Sequence, residues 1–196
     1  MHGLSNKAGP IPESIVQSSQ KEFSLPIWSN PNHSIGAKFG TNTLLHGEDV
    51  RGRNKVADYF YEFWQSLCKD GHKPSRSDIR PANMKQYLNR LVLIDVESKE
   101  VGFNLTVRLI GSHVAAFYGE IAGQDIRDMD NEDAVDRIYT SSATIIETGE
   151  PALSITAGIS KNKKHLEGFA LYMPLFTPEG EINKVMVSVD IKALAK

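Results

Sequence analysis

The chain is poor in the features that mark many functional classes. One of its 196 residues is cysteine, Cys68. An internal disulfide is therefore impossible, and a reducing compartment, the cytoplasm, is the expected setting. No apolar run is long enough to span a bilayer, and Met1 to Pro10 are polar and glycine-containing, unlike a signal peptide. Twenty-two basic residues stand against 24 acidic ones, for a formal charge of −2, and the pI is about 6.3. Nothing in that balance promises the basic surface that displaces counterions from a phosphate backbone. Neither a membrane nor nucleic acid is expected as a partner.

Catalytic and metal-binding signatures are equally scarce. Gly119 and Gly123 lack the following Lys-Ser/Thr of a phosphate loop, and no Gly-x-Ser-x-Gly elbow is present. The six histidines, His2, His33, His46, His72, His113 and His165, form no i, i+4 pair, so no metal site is expected. The acidic pairs Glu132/Asp133 and Glu179/Glu181 fall at a helix start and a turn tip, where solvated or capping roles are the default. Cys68 lies inside an aromatic-rich helical segment, the setting of an inert thiol rather than a nucleophile. The chain is not expected to be an enzyme.

What is present reads as one globular domain behind a tail. Hydrophobic residues make up 40% of the chain. Residues 1–53 are rich in Gly, Pro, Ser and Asn, with sparse, aperiodic apolar residues, and read as a flexible N-terminal arm. Two apolar islands interrupt it, Phe23-Leu25-Ile27-Trp28 and Leu44-Leu45, either of which could dock on a neighbouring chain. From Asn54 to Asp70 the residues Val56, Phe60, Phe63, Trp64 and Leu67 fall at helical spacing, with Gly71 as a stop. This stripe packs either on its own domain or across a homodimer interface.

A proline-bracketed loop, Pro74 to Pro81, leads to a short helix ending near Leu88. A hairpin follows: Leu91 to Val96, a turn over 98–102, then Phe103, Leu105, Val107 and Leu109 alternating with polar residues. Short helical pieces fill 112–130. Asn131 caps a long helix running to Thr148, with Gly149 and Pro151 as its stop. Three strands close the order, around Leu153–Ile159, Leu166–Leu175 and Val185–Ile191. The middle one is apolar on both parities and is expected to be central. Without a strand–helix–strand repeat, a five-stranded antiparallel sheet with helices on one face and an extra N-terminal helix is the natural solution, an α+β fold.

The residues Val107-Arg108-Leu109-Ile110-Gly111-Ser112 and Tyr118-Gly119-Glu120-Ile121-Ala122-Gly123 carry a further signal. Together with Trp64, Pro74-Ser75-Arg76, Asp78-Ile79, Gly149-Glu150-Pro151 and Met173-Pro174-Leu175, they resemble a family of bacterial single-PAS-domain proteins. The resemblance covers roughly residues 54–193. It implies a sensory module with a small cavity between sheet and helices, and dimerisation through an N-terminal helix. The superfamily's flavin photosensors carry a reactive cysteine in an Asn-Cys-Arg-Phe-type motif after the second strand. Here that region reads Ser112-His113-Val114-Ala115. Haem-binding members supply a histidine from the long helix, and 133–148 has none. Flavin and haem are not expected, and the identity of any cofactor or ligand is unknown at this point.

Residues that could line such a cavity are Arg108, His113, Tyr118, Tyr139, Ser142 and Tyr172, because a ligand pocket pairs an apolar wall with a few convergent polar groups. Arg108 and Glu167, both in strands, could also meet as an ion pair. The leading expectation is a PAS-type regulatory module, homodimeric, that binds a small ligand or docks a signalling partner, with output through a separate protein because little chain follows the last strand. Two alternatives stand beside it. One is a small α+β enzyme of isomerase or dehydratase type, for which Asp95 and Glu167 are the candidate buried carboxylates. The other is a ligand-free structural dimer.

Overall fold

A computed structural model describes residues 41–160 and 162–194. The arm's first island, at 23–28, lies outside the described residues, as do His2 and His33. Six strands form one antiparallel sheet: β1 (Thr41–His46), β2 (Leu91–Ser98), β3 (Phe103–Ile110), β4 (Ala152–Ala157), β5 (Leu166–Phe176) and β6 (Ile182–Ala193). Their order across the sheet is β1-β4-β5-β6-β2-β3, with every neighbouring pair antiparallel. Among the described residues three α-helices accompany them: α1 (Lys55–Leu67), α2 (Ser112–Tyr118) and α3 (Glu132–Thr148).

The sheet therefore has one strand more than the five read from the sequence. The sixth, β1, comes from residues placed in the arm, and it pairs with the edge of β4 from Thr41↔Ala157 to His46↔Ala152. Val50, just beyond it, is fully buried. Both faces of the sheet are covered, so Leu44 packs toward one core and Leu45 toward the other. Two adjacent leucines that serve opposite faces show no period-2 alternation, which hides the strand.

The helices also divide between the faces. The core against α2 and α3 takes Ala170 and Tyr172 from β5 and Val185, Val187, Val189 and Ile191 from β6. The opposite face, with Phe169, Leu171, Met173 and Leu175 of β5, is covered by α1. Central β5 is apolar on both parities because each parity enters a different core. Helix α1 is anchored there by Trp64, whose indole Nε1 donates to the Pro174 carbonyl at 2.9 Å.

This placement corrects part of the interface expectation. Val56, Phe60 and Trp64 are buried inside their own chain, while Phe63 and Leu67 stay partly exposed. An amphipathic helix meets either its own sheet or a partner, and here its apolar stripe is already covered by β5 and neighbouring residues.

Local signals place the remaining elements. Asn54 caps α1, its Oδ1 accepting from the Val56 and Ala57 amides. Asn131 does the same for α3 through the Ala134 amide, and Gly149, at φ 71°, ends that helix in the left-handed conformation. The expected short helix after Pro81 is a 3₁₀ stretch, Pro81–Arg90. At Gly111, where β3 turns into α2, an added Cβ would lie 2.4 Å from the Asn89 carbonyl oxygen. Only glycine allows the start of α2 to sit this close to that 3₁₀ backbone.

Candidate functional site

Between the sheet and helices α2 and α3 lies a cavity of about 70 Å³. Its walls are mostly branched aliphatics, among them Ile94 of β2, Val107 of β3 and Val189 and Ile191 of β6. Polar groups enter from four elements. Tyr118 closes the end of α2, Arg137 comes from the middle of α3, and Tyr172 stands on β5. Ser154 and Thr156 of β4 also line it, but both hydroxyls donate to Asn42 Oδ1 of β1, at 2.6 and 3.3 Å. The edge strand thus satisfies the polar side of this wall.

Tyr118, Arg137 and Tyr172 form one electrostatic unit. Burial raises the Tyr118 phenol, and the charge and hydrogen bond of Arg137 act against that rise. Burial also pushes Tyr172 well up, reinforced by Tyr118 and opposed by Arg137 and the Ser141 hydroxyl. Both phenols are therefore neutral donors throughout the physiological range. Arg137 Nη2 also donates to the Ile159 carbonyl at 3.3 Å, which fixes the guanidinium beside the cavity.

Of the six ligand residues expected from the sequence, the structure brings Tyr118 and Tyr172 together at the cavity. Arg108 does not join them. The register shifts between Leu93 and Ile94, whose partners are Leu109 and Val107, so Arg108 falls at a bulge and is solvent-exposed. Its proposed pairing with Glu167 is ruled out by topology, because β6 and β2 separate β5 from β3. Tyr139 is buried behind the cavity, its ring stacked on Phe103 with centroids 5.7 Å apart. Ser142 is fully buried away from the cavity walls.

His113 also lies outside the cavity. Its Nε2 faces Arg90 Nη1 at 3.3 Å, and its ring meets Phe117 edge-on. Burial first, then the Arg90 charge, hold its pKa below the ordinary histidine value, while Asp190 acts in the other direction. Arg90 in turn forms an ion pair with Asp190.

Sequence reasoning missed Arg137, which reads as a solvated charge on a helix carrying several. Its signal is spacing: Ala134, Arg137 and Ser141 fall at i, i+3 and i+7, one face of α3. The carboxylates nominated for an enzyme do not line the cavity. Asp95 is paired with Lys184, and Glu167 lies opposite Lys192 in the ladder. Cys68, at the end of α1, has its thiol pushed up to about 11 by burial, with the Glu150 charge adding to the rise, so it is not a ready nucleophile. Among the described residues no cluster of His, Cys, Asp and Glu could hold a metal ion, and no helix is long and apolar enough to cross a membrane.

One antiparallel sheet packed on a short and a long helix, around a small cavity entered by a few polar groups, is a PAS-like α+β architecture. The family model described as "PAS domain" matches residues 52–189. The chain belongs to the PAS domain family and is, in that general sense, a sensory module. Two solved structures are similar to it. One is an RNA-binding light-oxygen-voltage receptor, with 9% identity and a TM-score of 0.45, covering 79% of this chain and 39% of that one. The other is the light state of the LOV domain of the blue-light photoreceptor Aureochrome1, with 13% identity and a TM-score of 0.35, covering 58% and 88%. The chain thus spans well under half the length of the first receptor. No curated protein matches its sequence.

Proposed function

We propose that this PAS domain senses a small molecule held in the cavity between the sheet and α2–α3, and passes the occupancy of that cavity to a separate signalling protein. The observation that carries the reading is the convergence of Tyr118, Arg137 and Tyr172 on a space otherwise walled by aliphatic side chains. A purely structural core would fill that space with apolar groups, since a buried polar group is costly unless it has work or a partner. A route outward is also present. Helix α2 carries both Tyr118 and His113, and His113 meets Arg90, which pairs with Asp190. Asp190 in turn accepts from Asn54, the cap of α1 on the far face of the sheet. A ligand that shifts α2 would bear on α1 through this chain. We place the module in a reducing setting such as the cytoplasm, as a homodimer whose contact includes Phe63 and Leu67, the half-buried members of the α1 stripe.

Native mass spectrometry of the full chain and of Ala170→Phe tests the reading. Ala170 lines the cavity on β5, and a phenyl ring there fills it. The wild type is expected to take up small organic molecules that the variant does not. Equal uptake by the two proteins would place the binding site elsewhere.

A further inference from the structure

We propose that the cavity ligand is a small organic acid, a short-chain or small-ring carboxylate, with its carboxylate on Arg137 and its apolar body against the aliphatic wall. The inference rests on the reading that the cavity takes a ligand, and adds its chemical class.

Charge decides the class. Among the described residues Arg137 is the one cationic side chain in the cavity walls. The two groups it meets there, the Ile159 carbonyl and the Tyr118 phenol, are neutral, so neither cancels its charge. A guanidinium carries five N–H donors in a planar fork that matches a carboxylate in bidentate geometry. That charge-assisted pairing is stronger than a neutral hydrogen bond. A cationic ligand would meet a like charge in a low-dielectric space. A neutral ligand would gain only ordinary hydrogen bonds from the arginine.

The two phenols point to the same class. Tyr118 and Tyr172 are held neutral by burial and supply O–H donors at the same cavity as the guanidinium. An anion accepts from both, whereas a ligand bearing only donors would compete with them. Ser154 and Thr156 add no competing donor, since both hydroxyls are already directed to Asn42.

Size sets the upper bound. A cavity of about 70 Å³ has room for roughly five to seven waters on the scale at which one water needs about 10–15 Å³. An acid with about that many non-hydrogen atoms fits, and a flavin or haem does not.

Isothermal titration calorimetry on the full chain tests the proposal with propanoate, butanoate and pentanoate against propanol, butanol and pentanol. The acids are expected to bind at least tenfold more tightly than the alcohols of matched size. Arg137→Gln is expected to remove that preference while leaving the circular dichroism spectrum and Tm near wild type, and Arg137→Lys to restore part of it. Tyr118→Phe, which deletes one oxygen, is expected to reduce the preference severalfold and gives an independent readout should Arg137→Gln fail to fold. Alcohols binding as tightly as acids, or an acid preference that survives Arg137→Gln, would overturn the ligand class and leave the cavity reading standing. Binding of neither series would overturn both.

Discussion

Asn54 Nδ2 donates to Asp190 Oδ2 at 2.8 Å, while Asn54 Oδ1 accepts from the first amides of α1. One side chain therefore both starts the helix and fastens it to β6. The two roles are separable. Asn54→Ser keeps a capping oxygen and loses the reach to Asp190, whereas Asn54→Ala loses both. We expect Asn54→Ala to cost about 1–2 kcal/mol and Asn54→Ser clearly less, measured by urea denaturation. Equal losses would mean that the strand tie contributes most of the effect.

The far end of the same chain makes stability depend on pH. Burial and the Arg90 charge hold the folded-state pKa of His113 below its unfolded value of about 6.5. Its contribution is therefore fully present above that unfolded value. It declines as pH falls below about 6.5, because the unfolded chain takes up a proton that the folded chain resists. The decline from this residue levels off once the pH is below the folded pKa. Comparing unfolding free energies of wild type and His113→Gln from pH 8 to 5 checks this. The variant is expected to show the shallower slope over that window, and identical slopes would remove His113 from the account.

Phe60 is fully buried under α1 within a single chain. Phe60→Ala should cost about 3–5 kcal/mol, the range for deleting a buried aromatic. Because the space it vacates lies inside one protomer, the loss relative to wild type should be the same at every protein concentration. A loss that changes with concentration would instead tie this residue to a dimer interface.

Gly111 sits where a Cβ would approach the Asn89 carbonyl oxygen to 2.4 Å. The obstacle is backbone, so a side-chain rotation cannot relieve it. Gly111→Ala should be among the most damaging single-methyl changes in the chain, costing more than about 2 kcal/mol. It should also displace α2 and with it Tyr118. Thermal unfolding gives the first effect, and weakened uptake of the cavity ligand gives the second.

Much of this architecture is legible in the sequence, and the gaps have physical causes. The doubly apolar run at 166–175 marks a strand buried on both faces, and β5 is that strand. The Asn131 and Gly149 signals bracket α3 as they stand. The edge strand β1 escapes because it is short, and its two leucines point into different cores. The division of helices between the faces escapes because a helix stripe shows only that a face is buried, and not against which surface. At the site, Tyr118 and Tyr172 are visible as aromatics near the expected cavity. Arg108 looked equally suitable, but a bulge cannot be read from alternation alone, and it turns that side chain to solvent. On α3 the cavity takes Ala134, Arg137 and Ile138, whereas Ser142, about one turn further along, is buried away from it.

The claim that binds the account together is that the space between the sheet and α2–α3 is where a small molecule goes. Methyl-selective NMR of the isoleucines tests it most directly, because Ile94, Ile126 and Ile191 line that space, while Ile79 and Ile155 pack in the core on the opposite face. On titration with the acids and alcohols used above, the signals of Ile94, Ile126 and Ile191 should move and saturate together, ahead of any change at Ile79 and Ile155. Signals that stay fixed in both sets, or move first at Ile79 and Ile155, would contradict the assignment of this cavity as the binding site.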